Sequence, residues 1–173
     1  MKYLTPQLYV KINDAKDDEV ESLYQQWNAA GANARAHLQQ VKQKLPPKMQ
    51  QFCETLCLHD AEVLGISVSG GDNGAGTPVA TISVRQDNDL IWLVYDLYDK
   101  PTITTPVPSD AFVSAHGPRQ WLYDEIDALD GPKYRHEILF NTGEVIELVF
   151  LQFDMFVHRS PSHAIQRQTV QLA

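Results

Sequence analysis

The stretch Tyr134-Arg135-His136-Glu137-Ile138-Leu139-Phe140-Asn141-Thr142-Gly143-Glu144-Val145-Ile146-Glu147-Leu148-Val149-Phe150 decides the fold class. Two runs rich in aromatic and branched residues flank Asn141-Thr142-Gly143, a tight loop in which glycine supplies positive φ without steric cost. This pattern predicts a β-hairpin with strands over 134–140 and 144–153.

Upstream, Val63, Gly65 and Ser67 alternate with Leu64, Ile66 and Val68, the period of a strand. Residues 79–85 and 90–97 read as two more strands joined by the polar turn Gln86-Asp87-Asn88-Asp89, which makes a three-stranded meander. Between meander and hairpin, Lys100 to Pro118 holds four of the ten prolines and little periodicity, so it reads as a long surface connection. Trp121 to Ile126 fits either a strand or a short helix.

The first third has a different period. Val20, Leu23, Tyr24, Trp27, Ala30, Ala34, Leu38, Val41 and Leu45 recur at spacings of three and four along one helix face. The reading is a helix over 15–45, capped by Asn13 or Asp14, with Gly31 as a point of bending. Pro46 and Pro47 stop it, and a second helix starts there with Met49, Phe52, Cys53 and Leu56 as its apolar stripe. The expected architecture is therefore α+β, with helices over about residues 15–57 packed on a mainly antiparallel sheet over about 62–157. Residues 1–159 form one domain in this reading, and the polar stretch 160–173 is a flexible tail.

Composition narrows the functional classes. A hydrophobic fraction of 43% and a charged fraction of 21% suit a folded globular chain. A formal net charge of -8 opposes attraction to nucleic-acid phosphates and favours a basic protein partner. The opening MKYLTPQLYVKIND lacks the apolar core of a secretory signal, and no apolar run approaches the ~20 residues that span a bilayer. With two cysteines, Cys53 and Cys57, expected as reduced thiols, the location expected is the cytoplasm.

Motifs with known chemistry are approached but not completed. The Gly-rich loop Ser69 to Pro78 lacks the lysine of a phosphate-binding loop and leads into a strand. Gly65-Ile66-Ser67-Val68-Ser69 lacks the final glycine of a nucleophile elbow. His136-Glu137 begins like a zinc-protease motif, but Phe140 stands where the second histidine belongs. Cys53, Cys57 and His59 are three soft ligands without a fourth, and a buried helical face explains them more simply. His59-Asp60 pairs an imidazole with a carboxylate and so suits a base or a metal ligand, although a turn aspartate beside a pocket histidine is the plainer account. Asp124, Glu125, Asp127 and Asp130 gather beside Trp121 and Tyr123, a combination that grips a basic protein or forms a solvated face.

Met1-Lys2-Tyr3-Leu4-Thr5, Leu58-His59-Asp60-Ala61, Trp121-Leu122-Tyr123-Asp124-Glu125-Ile126 and the hairpin together resemble a family of uncharacterised bacterial proteins of unknown function. The resemblance implies a bacterial cytoplasmic protein and assigns no residue a role. The function expected is a non-enzymatic interaction domain, immunity-like or regulatory, that meets a basic protein through Trp121, Tyr123, Asp124, Glu125 and Asp127 and needs no cofactor. One alternative is a small metal-dependent hydrolase in which His59 and Asp60 are joined by His116 or His136 and one of the acidic residues; no metal is expected otherwise. The other is a small-ligand binding module that uses the concave face of the sheet.

Overall fold

The computed structural model describes residues 1–71, 76–104, 109–112 and 117–159, in which three helices precede seven strands. Helix α1, Pro6–Asn13, lies ahead of the helix expected from apolar spacing. Its start is written in Thr5-Pro6: the Thr5 hydroxyl accepts the Leu8 N–H at 3.2 Å, and Pro6 occupies the first turn, where no N–H partner is needed. Asn13 therefore closes α1 instead of capping the next helix. Helix α2, Val20–Val41, starts five residues later than expected and passes through Gly31 without interruption. A 3-10 turn at Lys42–Lys44 follows, and α3, Pro47–Thr55, begins at the proline pair as predicted. Most of the α2 stripe is only half buried, and Tyr24 is 52% exposed.

The strands are β1 Glu62–Ser69, β2 Val79–Gln86, β3 Asp89–Leu97, β4 Thr102–Thr104, β5 Trp121–Ala128, β6 Tyr134–Phe140 and β7 Val145–Arg159. They form one antiparallel sheet in the order β1-β2-β3-β7-β6-β5, with β4 added on β7. The meander and the hairpin of the sequence reading are both present. Two features were not anticipated. The Pro-rich connection contributes β4, and β7 runs six residues beyond its expected end. The extra length lets β7 join two halves of the sheet: its residues 145–150 pair β6, while 150–159 pair β3 along the opposite edge.

The sheet curls into a half-barrel. Its outermost strands meet at one end, where Val63 N–H donates to Arg119 O at 2.7 Å and Trp121 N–H donates to Ala61 O at 2.9 Å. Asn141 ties the hairpin loop to this closure, since its Oδ1 accepts the Gln120 N–H and its Nδ2 donates to Pro118 O. Gly143 is required in the same loop. Its φ is +82°, and a Cβ there would lie 2.8 Å from the Phe112 ring.

Helix α3 fills the concave face. Met49 and Phe52 enter a core with Ile82, Leu93, Tyr95, Trp121, Ile138, Phe150 and Phe153, and the Phe52 and Phe153 rings meet edge to face at 5.8 Å. A second, smaller core lies on the convex side, where Leu122, Leu139, Val145 and Phe112 pack under Tyr9 and Val10 of α1. No helix among the described residues is long and apolar enough to cross a membrane. The expected tail, 160–173, lies outside the described residues.

Candidate functional site

The segment Trp121 to Ala128 is strand β5, and an irregularity in its register between Trp121 and Tyr123 decides what each side chain does. Strict alternation would put Trp121 and Asp124 on opposite faces. The bulge instead turns both inward, so that the Trp121 indole donates to Asp124 Oδ1 at 3.0 Å. Trp121 was expected at an exposed binding surface, but it is fully buried, against the His136 and Phe140 rings.

Asp124 also accepts from His136 Nε2 at 3.1 Å, and His136 Nδ1 lies 3.0 Å from the Tyr95 hydroxyl. The chain Tyr95, His136, Asp124, Trp121 is satisfied throughout if Tyr95 donates to Nδ1 and a neutral His136 donates from Nε2. Among the described residues, no buried side-chain nitrogen or oxygen lacks a partner. Burial holds the Tyr95 hydroxyl well above its ordinary pKa, and the Asp124 charge adds to the effect. The same two causes, burial first, push the Cys53 thiol up to about 12. Cys53 is thus no thiolate nucleophile. The network orients core side chains, and its only outlet is Asp124, which lines a cavity of about 270 Å³ beneath α2.

The carboxylates on the convex face are already engaged. Glu125 accepts the Lys2, Tyr3 and Leu4 amides at 2.6, 2.8 and 2.6 Å. Its cross-strand neighbour Glu137 pairs with the Met1 amino group and with Arg135. Two like charges side by side on neighbouring strands repel, and the N-terminal segment offsets that repulsion. Asp127 pairs with His37 and Arg135. Glu125→Ala is expected to cost about 1.5–3 kcal/mol per charge-assisted bond that water does not replace, and to release residues 1–4 from β5. Native-state hydrogen exchange would register the loss as free exchange at Tyr3 and Leu4; retained protection would show that the three amides are held by something else.

Tyr123 reaches a further recess that Asp124, Glu125 and Asp127 do not line. A second cavity of about 270 Å³ opens between α1, α2 and β5, and Tyr9, Trp27, Tyr123, His59 and Asp60 line it. Trp27 and Tyr123 meet edge to face at 4.9 Å, and Tyr9 is tilted against both at 6.3 Å. The His59 ring lies 4.9 Å from that of Tyr123, fixed by donation from Nδ1 to Leu122 O. Asp60 holds a left-handed backbone with φ 64°, pinned by its N–H to Trp121 O at 2.8 Å, and its side chain stays 68% exposed at the rim. Burial chiefly raises the Tyr9 and Tyr123 pKa values, and Asp60 raises both further. Tyr9 and Trp27 had no part in the sequence reading of the site. Trp27 had only its place in a helical stripe, which does not separate a core residue from one lining a cleft, and Tyr9 lies ahead of the expected helix.

His136 does not join His59 and Asp60. His59 Nε2 stands 3.7 Å from Asp60, but His136 points into the core towards Tyr95 and Asp124. His116 lies outside the described residues. Among the described residues, no three His, Cys, Asp or Glu side chains are grouped to hold a metal ion. Cys53 and Cys57 are free thiols, half buried and exposed. Compared with models of protein families and with curated proteins, the chain matches none, so the cleft's own chemistry carries the functional argument.

Proposed function

We propose that this is a non-enzymatic recognition domain, of regulatory or immunity-like kind, that engages a basic protein partner through the cleft between α1, α2 and β5. One observation carries the reading: Tyr9, Trp27 and Tyr123 are gathered with the Asp60 carboxylate around one cavity. Half-exposed aromatic side chains with a carboxylate at the rim form the usual anchor of an interface, because rings supply contact area at low entropic cost. The net charge of -8 favours encounter with a basic partner, and the free thiols suit a reducing compartment such as the cytoplasm. The binding surface thus moves from the stretch around Trp121 to the helix side of Tyr123, and Asp124, Glu125 and Asp127 serve the fold.

Capture from bacterial lysate at low salt, with the wild-type protein and Trp27→Ala side by side, tests this reading. The expected result is a near-stoichiometric basic protein held by the wild type, released by raised salt and lost from Trp27→Ala. Equal capture by both forms, or no basic protein with either, would overturn it.

A further inference from the structure

The cleft carries more information than its sign of charge, because three of its polar side chains, Asn13, His59 and Asp60, offer acceptor atoms beside the aromatic rings. The Asn13 Nδ2 donates one hydrogen to Tyr9 O at 2.8 Å, and its Oδ1 is an acceptor. His59 spends its Nδ1–H on Leu122 O, so in the neutral ring Nε2 is an acceptor too. Asp60 adds two carboxylate oxygens, and among the described residues no lysine or arginine lines the cavity. The neighbouring cavity beneath α2 differs here, since Arg35 lies in its wall.

A ligand that suits this lining is flat, cationic and rich in N–H donors. An ammonium group is compact and strongly hydrated, and a quaternary ammonium has no donor for Asn13, His59 or Asp60. Guanidinium stacks on aromatic faces while its edge presents five N–H groups in one plane, and it forks onto a carboxylate. We infer that the cleft receives the guanidinium group of an arginine side chain carried by the partner, stacked against Trp27 and Tyr123 and forked onto Asp60. The inference rests on the recognition reading above and narrows it. The left-handed Asp60 has a purpose in this arrangement: its backbone geometry sets the carboxylate at the rim, where a guanidinium edge arrives after its face has met the rings.

N-acetyl-arginine methylamide, N-acetyl-lysine methylamide and tetramethylammonium are titrated into the full chain while the Trp27 indole N–H resonance is followed, with Trp27→Phe to assign it. Saturable binding of the arginine probe is expected, with the lysine probe at least about tenfold weaker and tetramethylammonium weaker still. Asp60→Asn, which tolerates the left-handed backbone, is expected to weaken the arginine probe about tenfold while leaving the rest of the spectrum in place. Equal binding of the lysine probe, preference for tetramethylammonium, or indifference to Asp60→Asn would overturn the inference. The two readings fail separately. A basic partner lost from Trp27→Ala without arginine-probe binding removes only the guanidinium assignment, whereas probe binding without any basic partner removes the interaction reading.

Discussion

Replacing Trp121 with alanine is expected to destabilise the protein by about 3–5 kcal/mol, the usual range for deleting a buried tryptophan and leaving a partly relaxed cavity. For a chain of this size that is a fall in Tm of roughly 10 °C, since each kcal/mol moves Tm by about 2–4 °C. The ring is fully buried, 5.6 Å from His136 and 6.3 Å from Phe140, so its volume has no solvent to fall back on. Its indole N–H is also a donor to Asp124, and the loss leaves one oxygen of a half-buried carboxylate to find water. The backbone of the same residue accepts from Asp60 N–H and donates to Ala61 O, where β1 and β5 close the half-barrel. Trp121→Phe separates the contributions: most of the ring volume stays and only the donor goes, for an expected cost of about 1–2 kcal/mol. Urea denaturation of both variants measures the difference. If alanine and phenylalanine cost the same, the indole N–H and not the packing would be the main contribution. If alanine cost less than ~1 kcal/mol, the burial described for Trp121 would be wrong.

Stability is also expected to fall on the alkaline side, earlier and more steeply than ordinary tyrosines would allow. Tyr95 and Cys53 both hold their protons more tightly folded than unfolded, chiefly because burial penalises their anions. Their folded pKa values are raised, so the stability they contribute is complete below the unfolded values and is lost as pH rises above them. For Cys53 the decline starts near pH 9 and runs to about 12. For Tyr95 it starts near pH 10, with a limiting slope of ~1.4 kcal/mol per pH unit while the folded state keeps its proton. Tyr9 and Tyr123 add to the decline above pH 10 in the same direction. Urea midpoints between pH 8 and 11 test this for the wild type, Cys53→Ala and Tyr95→Phe. Cys53→Ala is expected to shift the onset towards pH 10, and Tyr95→Phe to flatten the decline above it. Tyr95→Phe lowers the baseline as well, because His136 Nδ1 loses its partner, so the slope and not the midpoint is the readout. Identical slopes in all three proteins would show that neither group titrates from within the folded core.

The acidic, aromatic stretch from Trp121 to Asp130 shows how far sequence reasoning reaches for this chain. Its composition reads as a single surface feature, yet the structure divides it among three tasks. Trp121 and Asp124 complete an internal polar network, Glu125 and Asp127 hold the N-terminal segment, α2 and Arg135, and Tyr123 lines the cleft between α1, α2 and β5. The division turns on one bulge, which shifts the phase of the strand by a residue, and no side chain in the stretch announces it. His136 is the counterpart case. Its short likeness to a zinc-protease motif carries no hint of its place in the fold, because its position as the hub between Tyr95 and Asp124 depends on a tyrosine 41 residues away.

What the sequence by itself determined is the set of elements governed by short-range physics. Glycine at Gly143 and the runs beside it specify the hairpin, Pro46-Pro47 separates α2 from α3, and alternation over 79–97 specifies the meander. Even α1 has a local signal in Thr5-Pro6, a hydroxyl cap followed by a first-turn proline. Tertiary structure alone decided the curl of the sheet, the extension of β7 between two partners, and the meeting of Tyr9, Trp27, Tyr123, His59 and Asp60 around one cavity. Those five residues come from α1, α2, β5 and the turn before β1, and each local pattern is satisfied equally well whether its side chain ends in a core or at a rim. The outcome depends on how the sheet bends and where the helices come to rest on it, which is a balance of long-range packing that no local window contains.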